Sequence, residues 1–289
     1  MPLVRLDTKN LHFEISPEMG ASITKFQDKK TGVDIFRPFP KDKKIIKKNC
    51  YFSGYFATVP YFGAIHKKCF FYKNKYISLK KTHSLEPDTI HGEGWVNKWK
   101  VFKKTNSSVE LLFKHNGKKS FPHKYQVIQK FKLIKNSLII SIKIKNLDKY
   151  SFDCGIGFHP WFFINKYSKV YSNSFLYIKN SQKNFDKRVL TKKKFLDLNK
   201  YKIDETFLKW SGSSRVQINK NTFLIINNIK NVDNLHIYSP IKEDFFCIEP
   251  VTNIRDSFYF KKFSKIRHGL KKIEKGKEFE AAIEFKLNP

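Results

Sequence analysis

Between Leu138 and Ile144 an apolar side chain recurs at every second position of the stretch SLIISIKIKNLD (137–148). That is the period of a half-buried strand and not of a helix. The same period returns in KYQVIQKFKLI (124–134), FLIINNI (223–229) and FEAAIEFKL (279–287). Between the runs stand turn-forming clusters: KNS (135–137), SGSS (211–214) and EKGKE (274–278). Long helical periodicity is hard to find, and 164–200, rich in Lys, Asn and Ser, reads as loops with short strands. No Pro- or Gly-rich linker divides the chain and no repeat builds it, so one domain over 1–289 is expected. Many short strands with regular turns predict an all-β fold, a large antiparallel sandwich.

Enough apolar material is present to fill such a sandwich, at 40% hydrophobic and 16% aromatic residues. No stretch approaches the roughly 18 apolar residues of a membrane helix. The start, MPLVRLDTKNLHFEISPEMG, has no apolar run with a small-residue cleavage site, so no signal peptide is expected. Cys50, Cys69, Cys154 and Cys247 form no CxxC pair; free thiols in a reducing cytoplasm are the simplest reading, with no zinc site.

The net charge of +32 raises nucleic-acid binding as a function. Yet the basic residues are almost all lysine and are spread along the whole chain; arginine occurs only at Arg5, Arg37, Arg188, Arg215, Arg255 and Arg267. Nucleic-acid readers rely on arginine forks. A solvated lysine surface is the expectation, with no nucleic-acid or membrane partner.

Four segments carry residues suited to chemistry. In Ile90-His91-Gly92-Glu93-Gly94-Trp95 a histidine beside glycines sits where backbone can approach a ligand, or is simply a turn histidine. In Gly155-Ile156-Gly157-Phe158-His159-Pro160-Trp161-Phe162 the proline biases His159 to an extended backbone between aromatic neighbours; the alternative is a packed core histidine. Asp204, in Asp204-Glu205-Thr206-Phe207 ahead of Trp210-Ser211-Gly212, can accept sugar hydroxyl hydrogens or can cap a turn. Glu249, in Phe245-Phe246-Cys247-Ile248-Glu249-Pro250, ends an apolar run. A carboxylate there is costly unless it has a job or a salt-bridge partner, and burial would make it a stronger base.

Together the segments resemble the aldose 1-epimerase (galactose mutarotase) family. Ile15-Ser16-Pro17-Glu18-Met19-Gly20-Ala21-Ser22-Ile23 is similar to the family's opening, and Phe56-Ala57-Thr58-Val59-Pro60-Tyr61 to its next landmark. His91-Gly92, His159-Pro160-Trp161-Phe162, Asp204 with Trp210 and Gly212, and Glu249-Pro250 follow in order, and Gly269-Leu270, Gly276 and an alternating last strand close the chain. The resemblance implies a β-supersandwich with a sugar cleft on one face. It implies Glu249 as the base that takes the anomeric hydroxyl proton and His159 as the acid that protonates the ring oxygen. His91 would assist at the ring oxygen, Asp204 would bind hydroxyls, and Trp161 or a neighbouring aromatic would stack on the sugar. No metal or cofactor is implied.

Where the family usually carries Asn-Arg after the Val-Pro landmark, this chain has Gly63-Ala64, with His66, Lys67 or Lys68 as the nearest substitutes. Glu93 stands where phenylalanine is common. The expected function is interconversion of hexose anomers. Epimerisation of a hexose phosphate and non-catalytic sugar sensing are the alternatives.

Overall fold

The computed structural model describes residues 3–40, 50–65, 69–84, 86–118, 120–172, 176–178, 188–190, 195–200, 202–240, 243–263 and 268–288. The alternating runs are strands, and they share their longest sheet. Ser137–Asn146 lies antiparallel between Phe121–Ile134 and Glu278–Asn288. The register sets Leu138, Ile140, Ile142 and Ile144 beside Leu133, Phe131, Gln129 and Val127 on one side, and beside Phe285, Ile283, Ala281 and Phe279 on the other. This is the face the two-residue period demanded, and a one-residue slip would turn all of it to solvent.

Nine strands make this sheet, from Phe195–Asp197 through Lys169–Ser172, Ser213–Gln217, Phe223–Lys230 and the three long strands to Ser108–Lys118 and Lys100–Lys104. A ten-stranded sheet packs against it. Its order is Val4–Asp7, Leu11–Ser16, Ser22–Asp28, Tyr55–Thr58, Gly157–Phe163, Phe245–Val251, Asn234–Ser239, Ile203–Leu208, Leu176–Ile178 and Arg188–Leu190. The fold is therefore the large antiparallel β-supersandwich that the sequence patterning and the family resemblance lead one to expect. The one α-helix among the described residues is Ser257–Phe263. No helix is long and apolar enough to cross a membrane, and the four cysteines are unpaired.

Aromatic rings from the two sheets fill the interior. Phe131 lies 5.4 Å from Phe13 and 6.1 Å from Tyr55, and Phe285 lies 5.0 Å from Phe36. A polar bridge crosses this layer: Gln129 Nε2 donates to the Tyr55 hydroxyl at 2.9 Å, while Gln129 Oε1 is buried without a hydrogen-bond partner among the described residues. Phe131 is fully buried at the centre. Truncating it leaves a ring-sized void, so Phe131→Ala is expected to cost about 3–5 kcal/mol of stability, read from urea unfolding midpoints.

Candidate functional site

Because side chains alternate across a strand, the central strands of the ten-stranded sheet present two different faces. Phe158, Phe162, Phe246, Ile248, Leu235 and Ile237 point into the main core. Phe56, Trp161 and Cys247 belong to a separate, smaller cluster with Met19, Cys50 and Trp95 on the opposite face.

That opposite face carries the candidate site in two rows. Gly157 pairs with Val251 and Trp161 with Cys247, which sets His159 opposite Glu249. Phe56 pairs with His159, Glu249 with His236, and His236 with Thr206. The first row across the sheet is thus Phe56, His159, Glu249, His236 and Thr206. Two residues along, the second row is Trp161, Cys247, Tyr238 and Asp204. Antiparallel register alone collects residues from positions 56 to 249 of the chain.

His159 Nε2 lies 3.3 Å from Glu249 Oε2, with side chains 7% and 2% exposed. The sequence placed these groups on either side of a sugar ring, but here they touch. No ring-wide gap separates them. Burial shifts both groups toward their uncharged forms: Glu249 is pushed well above the usual carboxylate range by desolvation, with Asp204 adding to it. His159 is pushed well below the usual imidazole range by desolvation and then by His91 and His236. Glu249 Oε2 is buried and makes no well-aligned hydrogen bond among the described residues, its 3.3 Å contact with His159 Nε2 included. A carboxyl oxygen left in that state is unusual in a structural role.

His91 follows the two-residue strand Thr89–Ile90 in a left-handed backbone conformation, φ +60°. Its backbone N–H donates to Gly63 O at 2.9 Å, and its Nδ1 accepts the Gly63 N–H at 3.2 Å. The neutral ring consequently carries its proton on Nε2. Burial, with His236 and Arg255 adding to the shift, pushes its pKa down to about 3. The ring stands edge-on to His159 at 5.2 Å between centroids.

Asp204 closes the other end of the rows. Oδ1 lies 3.2 Å from His236 Nε2 and Oδ2 accepts from Arg255 Nη1 at 3.0 Å. His236 Nδ1 in turn meets Thr206 Oγ1 at 2.9 Å. Asp204 and Arg255 are each 39% exposed, so the site opens at this end while its floor at Glu249 is covered. Half-buried Tyr238 lies beside Asp204, its pKa pushed up to about 12 by burial and then by Asp204.

Trp161 is brought into the second row and is 6% exposed. It stacks on His159 at 5.2 Å and 11°, with the Arg37 guanidinium 4.2 Å over its ring. This packing holds the imidazole plane. Glu93 turns away from the pair: its carboxylate lies 3.4 Å from His115 Nε2 and 3.3 Å from Asn97 Nδ2, a buried structural set. Ala64 is buried in the two-residue strand Ala64–Ile65, and His66, Lys67 and Lys68 lie outside the described residues.

Donor atoms of His159, Cys247 and Glu249 lie within 4.8 Å of one another, the one grouping of metal-ligand type among the described residues. Burial holds the Cys247 thiol well above its usual pKa, and the neighbouring Glu249 adds to this.

Sequence reasoning missed His236 and Arg255. His236 lies inside the alternating stretch NLHIYS (234–239), where a histidine on the polar phase was the available signal. Arg255 carried only its rarity among lysines.

Residues 2–286 match the model of the aldose 1-epimerase family. A relative in Escherichia coli strain K12, the uncharacterized protein YphB, is 21% identical over 274 residues, spanning 90% of this chain and 91% of that one. Among solved structures, a galactose mutarotase-like protein from Clostridium acetobutylicum superposes with a TM-score of 0.85 at 18% identity, over 99% of this chain and 95% of that one. A galactose mutarotase related enzyme from Lactobacillus acidophilus gives 0.79 at 18% identity, over 100% and 98%. At these identities the structural matches speak for the fold.

Proposed function

The chain belongs to the aldose 1-epimerase family, and from that premise we propose that it interconverts the α and β anomers of a hexose by acid–base ring opening at His159 and Glu249. The observation that carries this reading is the buried imidazole–carboxyl contact of 3.3 Å, with both groups biased toward their neutral forms.

Mutarotation requires one proton to leave the anomeric hydroxyl and one to reach the ring oxygen. The ring opens to an aldehyde, rotation about the C1–C2 bond presents the other carbonyl face, and the transfers reverse. A pair holding a single proton between two sites supplies both functions. At rest that proton sits on Glu249, because burial disfavours the charged alternative. An anomeric hydroxyl donating to the carboxyl favours its ionised form, and the proton then passes to His159. In that tautomer Glu249 is the base and His159 the acid toward the ring oxygen. Neutral His91, with its Nε2–H, donates a hydrogen bond at the ring-oxygen side, Asp204 accepts sugar hydroxyls, and Trp161 steadies the imidazole. No metal or redox step enters this scheme.

Both tautomers contain one proton, so the pair titrates as a unit. Activity is lost at low pH when the pair binds a second proton, and at high pH when it loses its only one. The lowered His159 sets the acid limb below the usual imidazole value of 6.5, and the raised Glu249 sets the alkaline limb above the usual carboxylate value of 4.5. The expected profile of kcat/KM, which reports the free enzyme, therefore has its acid limb below 6.5. Polarimetry of freshly dissolved α-glucose across pH measures it. An acid limb centred on 6.5 would mean an ordinary, solvated imidazole and would count against the buried pair as the catalyst.

A further inference from the structure

We propose that Arg255 binds the substrate together with Asp204, and that this pair selects a neutral sugar over its phosphate ester. The inference rests on the sugar-binding reading of the site but not on its catalysis. The loop that carries Arg255 is pinned to the site. Buried Asn253 accepts the Phe62 N–H at 3.0 Å, and its Nδ2, with two hydrogens to share, lies 3.0 Å from Phe62 O, 2.9 Å from Ile254 O and 3.0 Å from Ser257 Oγ. Two residues on, the stem of Arg255 lies directly against Gly63. A Cβ on Gly63 would meet Arg255 Cα at 2.7 Å, Cβ at 3.1 Å and Cγ at 3.2 Å. Gly63 is also the residue that anchors His91. The arginine stem thus occupies the space beside the His91 anchor, and its guanidinium turns to Asp204.

The fork leaves an adjacent donor and acceptor at the open end of the rows. Asp204 lies two strands from Glu249, roughly 10 Å across the sheet at standard spacing. A hexose whose anomeric oxygens rest over His159 and Glu249 brings its far hydroxyls to this end. A hydroxyl both donates and accepts, so it is matched by a carboxylate beside a guanidinium. A phosphate is matched differently: it only accepts and carries about −1.5 to −2 charge. The Arg255 charge is already met by Asp204 at 3.0 Å and by Asp256 at 3.9 Å. A phosphoryl group arriving here meets two carboxylates.

The test compares glucose with glucose 6-phosphate on the wild type, Arg255→Ala, Arg255→Lys and Asp204→Asn, reading KM and kcat separately. The wild type is expected to favour glucose by at least about tenfold in kcat/KM. Arg255→Ala is expected to raise the glucose KM about tenfold, the worth of one charge-assisted hydrogen bond, with a much smaller change in kcat. Arg255→Lys restores part of that loss, because a lysine keeps the charge without the fork. Asp204→Asn, which leaves Arg255 less neutralised, narrows the gap between the two sugars. An unchanged KM in Arg255→Ala, or a wild type that prefers the phosphate, overturns the proposal. Calorimetric dissociation constants for the same variants separate it from the catalytic reading. If hexose binds without faster anomer exchange, catalysis fails while Arg255 is still judged by affinity; if no hexose binds, both fail.

Discussion

Glu249→Gln is expected to slow anomer exchange by about 10²–10⁴-fold, the usual worth of a positioned acid–base group, while leaving the protein at least as stable as before. The two halves of that result belong together. Glu249 is 2% exposed and its Oε2 makes no well-aligned hydrogen bond among the described residues. Keeping an ionisable group there costs free energy that folding does not recover. An amide of the same size cannot ionise and can donate toward His159, so the fold loses nothing by the exchange. A purely structural carboxyl would show the opposite pattern, with stability falling and no separate effect on rate. The melting temperature and the polarimetric rate, taken from one preparation, distinguish the two.

Gly92→Ala is expected to damage both stability and activity. Gly92 has φ +65° and forms a parallel bridge to Val59. An added Cβ would lie 2.3 Å from Val59 O and 2.4 Å from Pro60 Cδ. Neither atom ends a flexible side chain, so the backbone itself must move. Left-handed strain and the clash together should cost about 3 kcal/mol or more. The displaced loop carries His91, whose Nδ1 contact with the Gly63 N–H fixes its tautomer and whose backbone N–H is held by Gly63 O. Thermal unfolding reads the first effect. The second is a rate deficit that persists at temperatures where the variant is fully folded. A variant with the wild-type rate when folded would show that the position of His91 is unimportant.

The sheets were legible because their signal is local. Leu138, Ile140, Ile142 and Ile144 face the core for the same reason that they alternate in the sequence, and the partner strands alternate in step. The site was legible only through family resemblance, because its members come together by register between strands remote in the chain. Nothing near Glu249 announces His159 as its neighbour; the pairing of Trp161 with Cys247 does. His236 stayed hidden since a histidine within a strand looks the same whether it faces a core or a cleft. Arg255 belongs to a loop whose course is set by the Asn253 contacts to Phe62, a link across 191 residues that no spacing rule conveys. The gap between His159 and Glu249 was the sharpest difference. The sequence suggested a ring-wide separation, whereas opposed positions on adjacent strands bring the two into contact.

The most direct test of the whole scheme is exchange NMR of a hexose labelled with ¹³C at C1, at anomeric equilibrium, with the protein added at increasing concentration. The expected result is an exchange rate between the α and β signals that grows in proportion to protein and returns to the buffer rate with Glu249→Gln and with His159→Asn, both still folded. Undiminished exchange in both folded variants would place the chemistry elsewhere and contradict the central claim.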